Sequence, residues 1–128
     1  MNIVDSSGWL EYFAAGPNAH FFEKPIVDVK NLIVPSICIY EVCRRTLTQR
    51  DEEHATEVMA QMVEGQVIGL HEELAYSASL LSFEHRLPMA DAIILATAQA
   101  CNATLWTQDA DFKDLPSVKY FPHKPAKK

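Results

Sequence analysis

Leu87-Pro88-Met89-Ala90-Asp91-Ala92-Ile93-Ile94-Leu95-Ala96-Thr97-Ala98 is the stretch on which the fold turns. Leu87-Pro88 opens a helix that runs to Cys101, where Asn102-Ala103 stops it. From Ala90 to Ala96 the segment is apolar nearly all round, as in a helix buried between other elements. One carboxylate, Asp91, stands in its first turn. The helix dipole returns about 0.3–1 kcal/mol to a carboxylate there. Burying an unpaired charge costs on the order of several kcal/mol. Asp91 is therefore expected to face a cleft, a metal ion or a fixed partner.

Outward from this helix, short apolar runs alternate with longer periodic ones. Ile3-Val4 reads as a strand, closed by Asp5-Ser6-Ser7 and followed by a helix from near Gly8 carrying Trp9, Leu10, Tyr12 and Phe13. Gly16-Pro17-Asn18 breaks it, and a second helix is expected over 19–27. A buried strand over 31–34 meets Pro35-Ser36, which caps a helix from Ile37 to about Gln49. An amphipathic helix over 52–64 carries the stripe Ala55, Val58, Met59, Met62 and Val63. A strand over 66–70, a helix over 72–85 and strands over 104–107 and 118–121 complete the order. Alternation of this kind predicts an α/β protein: a three-layer α/β/α sandwich around a central, mostly parallel sheet of four to five strands. One domain is expected over 1–121, with 122–128 a flexible basic tail.

Three further acidic residues are candidates, two of them where such a sheet binds ligands, beyond the carboxyl ends of its strands. Asp5 follows the first strand, either as a helix N-cap or as a ligand. Asp109 follows strand 104–107 in Thr107-Gln108-Asp109-Ala110-Asp111-Phe112, either as a turn residue or at the same edge as Asp5. Glu41 lies among Ile39-Tyr40 and Val42-Cys43, either paired with Arg44 or Arg45 along the helix or turned into the site. Together the four form one hypothesis. Mg²⁺ and Mn²⁺ take oxygen ligands, and converging carboxylates repel one another until a cation relieves them. Such a site can ionise a water for attack on phosphorus without a covalent nucleophile.

Apolar residues make up 48% of the 128 and charged residues 22%, which excludes a disordered chain. The longest apolar stretches are too short to span a membrane. Met1-Asn2-Ile3-Val4-Asp5 enters a strand directly, so no signal peptide is expected. Cys38, Cys43 and Cys101 lack metal or redox spacing and read as reduced thiols, consistent with a cytoplasmic location. The net charge of −6 disfavours nucleic-acid binding only as a bulk statement. Arg44, Arg45 and Arg50 cluster along one stretch, where Arg44 and Arg45 are either phosphate contacts or solvated surface.

These motifs, in this order, resemble the PIN-domain family. Asp5-Ser6-Ser7-Gly8-Trp9-Leu10-Glu11-Tyr12-Phe13 is similar to the opening of VapC-type toxins, and Ile39-Tyr40-Glu41-Val42 to the second acidic motif. The stretch 87–98 resembles the third, and Leu105-Trp106-Thr107-Gln108-Asp109-Ala110-Asp111-Phe112 the fourth. The resemblance implies metal-binding and catalytic roles for Asp5, Glu41, Asp91 and Asp109, with Asp111 competing for the fourth place. Ser6, Ser7 and Thr107 would orient a carboxylate or water. It implies Mg²⁺- or Mn²⁺-dependent cleavage of RNA, a homodimer, and inhibition by a small VapB-type antitoxin. The stripe Val58, Met59, Met62 and Val63, and the aromatics Trp9, Tyr12 and Phe13, are either core or a docking face.

Other classes fit less well. A phosphoacceptor receiver domain wants an acidic pair after the first strand, and Asp5-Ser6-Ser7 does not supply it. A phosphatase of the haloacid-dehalogenase type wants Asp-x-Asp, and Ser7 occupies the second place. The five histidines show no zinc spacing. The remaining alternative is a catalytically weak or inactive PIN-like module that binds RNA or protein.

Overall fold

A computed structural model describes residues 1–125 of the chain. Five strands, β1 (Asn2–Val4), β2 (Leu32–Pro35), β3 (Gln66–Ile68), β4 (Thr104–Thr107) and β5 (Val118–Tyr120), form one sheet in the order β3-β2-β1-β4-β5. All four pairings are parallel. Six helices flank the sheet in the expected three-layer arrangement: α1 (Ser6–Phe13), α2 (Ala19–Val27), α3 (Ser36–Gln49), α4 (Glu52–Met62), α5 (Glu72–His85) and α6 (Met89–Ala100).

Burial follows from position in the sheet. The central strands β1, β2 and β4 are covered on both faces, so Ile3, Val4, Val34 and Leu105 are fully buried. The edge strands β3 and β5 are only three residues long and partly exposed, which limits pairing with other chains. Helix α6 is the innermost: Ala92 through Ala98 are all buried. Its alanines let it lie close to α5 and the sheet, and this close packing explains its near-uniform apolar sequence.

Element boundaries differ from the sequence reading by a residue or two. Helix α1 begins at Ser6, directly after its cap Asp5, and α4 ends at Met62 rather than Glu64. Pro88 caps α6 from outside, and a 3₁₀ turn over Val29–Asn31 precedes β2. Two left-handed residues turn the chain into and out of α6: Arg86 (φ 56°) after α5 and Asn102 (φ 50°) after α6. Asn tolerates that conformation well, which is why Asn102 marks the stop. Of the expected tail, residues 126–128 lie outside the described residues. Pro122 is tied back through its carbonyl, which accepts from Asn18 Nδ2 at 2.9 Å.

The topology fixes where the site must be. From β1 the chain adds β2 and β3 on one side and β4 and β5 on the other, so the strand order reverses between β1 and β4. The crevice beyond the carboxyl ends of those two strands is where open parallel sheets bind ligands.

Candidate active site

Asp5 follows β1 and Thr107 ends β4, and the register Val4↔Trp106 brings them level. Thr107 Oγ1 donates to Asp5 Oδ2 at 2.6 Å. Asp5 Oδ1 accepts from Gly8 N at 2.9 Å and from Ser7 Oγ at 2.8 Å. Asp5 caps α1, and its carboxylate lies at the β1/β4 edge level with Thr107. It is 2% exposed. Burial pushes its pKa up to about 6 despite the donors Thr107, Gly8 and Ser7, with Asp109 adding repulsion.

The turn after β4 carries the next carboxylates. Thr107 Oγ1 also accepts from Asp109 N at 2.9 Å, and Asp109 Oδ1 accepts from Asp111 N at 2.9 Å. Asp109 therefore caps a 3₁₀ turn over Ala110–Phe112 that swings Asp111 toward the crevice. Asp91 reaches the same place from the first turn of α6. Carboxylate oxygens of Asp91, Asp109 and Asp111 lie within 4.8 Å of one another. Burial, then repulsion from Asp109, Asp5 and Asp111, pushes the Asp91 carboxyl up to about 8.

Glu41 arrives on α3. Its Oε1 accepts from Ser6 Oγ at 2.6 Å, and no ion pair joins it to Arg44 or Arg45 among the described residues. The surface-pair reading is thereby set aside. Cys38 Sγ donates to Val4 O at 3.9 Å, and burial pushes its thiol up, with further repulsion from Asp5, Glu41 and Asp91. Arg44 and Arg45 are exposed and share a shallow cavity with Tyr40, Glu41 and Thr48. Arg44 bonds Thr48 on its own helix.

The donor set is all oxygen, and repulsion among its members lacks a cationic side chain in ion-pair contact among the described residues. That suits a hard divalent cation, Mg²⁺ or Mn²⁺. The geometry groups Asp111 with Asp91 and Asp109; Asp5 is near enough to repel Asp91, while Glu41 stands outside the group, bonded to Ser6. Residues 3–118 match the PIN domain family model. The chain belongs to the PIN domain family.

Solved PIN-fold structures resemble it along nearly its whole length. A toxin–antitoxin complex from Klebsiella pneumoniae is 22% identical, with a TM-score of 0.79 over 96% of this chain and 100% of that one. The Mycobacterium tuberculosis toxin VapC20, described as cleaving the sarcin-ricin loop, is 14% identical with a TM-score of 0.76, over 98% and 100%. VapBC2 from Rickettsia felis, bound to a DNA fragment from its promoter, is 16% identical with a TM-score of 0.73, over 94% and 97%. At these identities the likeness shows the fold. No curated protein matches the sequence closely enough to count as a relative.

One feature of the site escaped the sequence reading. Glu11, Asn18 and Gln108 are buried and bonded together directly beneath the Asp109 turn. Gly16-Pro17-Asn18 reads as a plain helix breaker and Gln108 as a turn residue. Glu11 carried a usable signal, since Leu10, Tyr12 and Phe13 leave it little solvent-facing arc on a short apolar helix.

The docking candidates divide. Trp9, Val58 and Met62 are core, whereas Met59 and Val63 are exposed. No helix among the described residues is long and apolar enough to cross a membrane.

Proposed function

We propose that this protein is a divalent-metal-dependent endoribonuclease and the toxin half of a toxin–antitoxin pair. The observation that carries the reading is the convergence of Asp91, Asp109 and Asp111 at the β1/β4 crevice, beside the buried Asp5. Asp91, Asp109 and Asp111 would hold Mg²⁺ or Mn²⁺. Asp5, three of whose acceptor positions are already engaged, would contribute through its remaining lone pair or through a water. A bound cation of this kind lowers the pKa of a water and neutralises charge on the scissile phosphate.

The chain's own groups do the rest. Thr107 and Ser7 fix the Asp5 carboxylate, and Ser6 holds Glu41 at the rim, where it can take a proton from the attacking water. Arg44 and Arg45 stand beside Glu41 to hold the RNA backbone, and exposed Tyr40 offers a face for a base.

For the partners, α1, α3 and α4 line a cleft of about 350 Å³ that includes Leu10, Phe13, Arg50 and Val58. A cleft that combines apolar side chains with Arg50, His54 and Glu57 suits an amphipathic helical segment of an antitoxin. The exposed Tyr76, Leu80 and Phe83 of α5, with Met89, give an apolar face for a second copy of the chain. The Klebsiella and Rickettsia structures are complexes of this paired kind, which supports an antitoxin partner.

The test is incubation of antitoxin-free protein with a mixed RNA pool, with Mn²⁺ or with EDTA. Cleavage in Mn²⁺ alone is expected. Metal-independent cleavage would remove the acidic cluster from the mechanism. An intact pool, with protein shown to bind Mn²⁺, would favour an RNA- or protein-binding role.

A further inference from the structure

The three buried polar residues under the site form a connected set, and each link is a hydrogen bond. Gln108 lies between Thr107, which holds Asp5, and Asp109, which lies in the acidic cluster. Its side chain points inward and is 8% exposed. Gln108 Oε1 accepts from Asn18 Nδ2 at 3.1 Å, and Gln108 Nε2 donates to Glu11 Oε1 at 3.4 Å. Glu11 Oε2 accepts from Asn18 N at 2.7 Å. The backbone N of Gln108 donates to Ser7 Oγ at 3.4 Å, and Ser7 Oγ in turn donates to Asp5. The turn bearing Asp109 and Asp111 is thus pinned to α1 from below, through side chains that touch no acidic residue of the cluster.

Stability alone is a poor reason to place these groups here. Glu11, a carboxylate, is 8% exposed and has no ion pair among the described residues. Asn18 is fully buried, and its Oδ1 has no hydrogen-bond partner. An unsatisfied buried acceptor costs about 1–3 kcal/mol, and an apolar set of the same shape avoids that cost. What an apolar set lacks is directional hold on the turn. Gly16 is fitted to the same purpose: a Cβ there would stand 2.4 to 2.6 Å from the Glu11 carboxylate atoms. Its φ is not positive, so the space beside Glu11 is what a side chain would take.

We infer that Gln108, Glu11 and Asn18 are positioning residues for the metal centre, setting the distance of Asp109 and Asp111 from Asp91 and Asp5. The inference rests on the reading of the acidic cluster as a divalent-cation site. Groups that orient ligands in this way typically change metal affinity about 10- to 100-fold when removed.

Three variants test it, none at an acidic residue of the cluster. Gln108→Met keeps the volume and removes both side-chain bonds. Gly16→Ala removes no bonding group but displaces the Glu11 carboxylate. Glu11→Gln is the mild variant, keeping the shape and one of two acceptors, and it serves if Gln108→Met does not fold. Mn²⁺ dissociation constants would be measured from the free-ion EPR signal, with circular dichroism and thermal midpoints recorded alongside. The expected result is binding weakened about tenfold or more in Gln108→Met, weakened in Gly16→Ala, and weakened less in Glu11→Gln. A purely structural network would lower thermal midpoints and leave the affinity of the folded protein alone. Folded variants that bind Mn²⁺ within about twofold of wild type overturn the inference. Wild-type protein that binds no Mn²⁺ overturns the metal-centre reading itself, and this inference with it.

Discussion

Asp91→Asn removes a charge and keeps the volume, so its effect on stability separates charge from packing. In the metal-free protein, burial together with Asp109, Asp5 and Asp111 pushes the Asp91 carboxyl up to about 8. The unfolded chain ionises the same group near its ordinary value of 3.8. Between those two values the unfolded state gives up a proton that the folded state keeps. Stability is therefore fully present below about 4 and is lost as pH rises toward about 8. Asp91 is only partly buried, and solvent screening reduces the loss at pH 7.5 to on the order of 1–2 kcal/mol. Asparagine has no proton to release. Without metal the variant should be more stable than wild type at pH 7.5 by that amount, roughly 3–8 °C in thermal midpoint for a domain of this size. Near pH 4 the two should converge. Adding Mn²⁺ reverses the order: wild type gains about 2.7 kcal/mol at a hundredfold excess over its dissociation constant, and the variant gains little. Calorimetry at pH 4.5 and 7.5, in EDTA and in Mn²⁺, reads all four states. A variant less stable than wild type in EDTA at pH 7.5, or one with an undiminished Mn²⁺ shift, refutes the reasoning.

Further outcomes follow from single contacts. Thr107→Val removes the hydroxyl that donates to Asp5 and accepts from Asp109 N; urea unfolding should show a loss of about 1–3 kcal/mol, and an unchanged midpoint would contradict the bridge. Gly8→Ala sets a methyl 2.6 Å from Val4 Cγ1 and 2.7 Å from Phe22 Cδ1; overpacking of that kind should cost about 1–3 kcal/mol by the same assay. Replacing Arg44 and Arg45 by alanine should weaken single-stranded RNA binding and flatten its salt dependence by about 0.7 per lost phosphate contact. Their Mn²⁺ affinity should not change, and an unaltered salt slope would remove both from the RNA path.

Legibility in the sequence depended on what each residue's neighbours exclude. Asp91 could be read because Ala92, Ile93, Ile94 and Leu95 leave a carboxylate no ordinary place on that helix. Asp5 could be read because the end of a first strand is a predictable edge once the alternation of elements implies a parallel sheet. The choice between Asp109 and Asp111 was not legible: a 3₁₀ turn gathers both beside Asp91, and two-residue spacing does not encode that turn. The partner of Glu41 was likewise hidden, since Ser6 is 35 residues away while Arg44 and Arg45 are within one helical turn. Asn18 and Gln108 were missed for a related reason. A polar residue whose hydrogen-bond partner lies 90 positions away, as Gln108 does from Asn18, has the same sequence context as one that faces water.

The most direct test is where a cation sits. Crystals grown with Mn²⁺ should give an anomalous difference peak between Asp91, Asp109 and Asp111, with oxygen ligands at about 2.1 Å. The peak should vanish in Asp91→Asn. A peak that persists in that variant, one that lies elsewhere on the chain, or none at a concentration that supports cleavage would contradict the account.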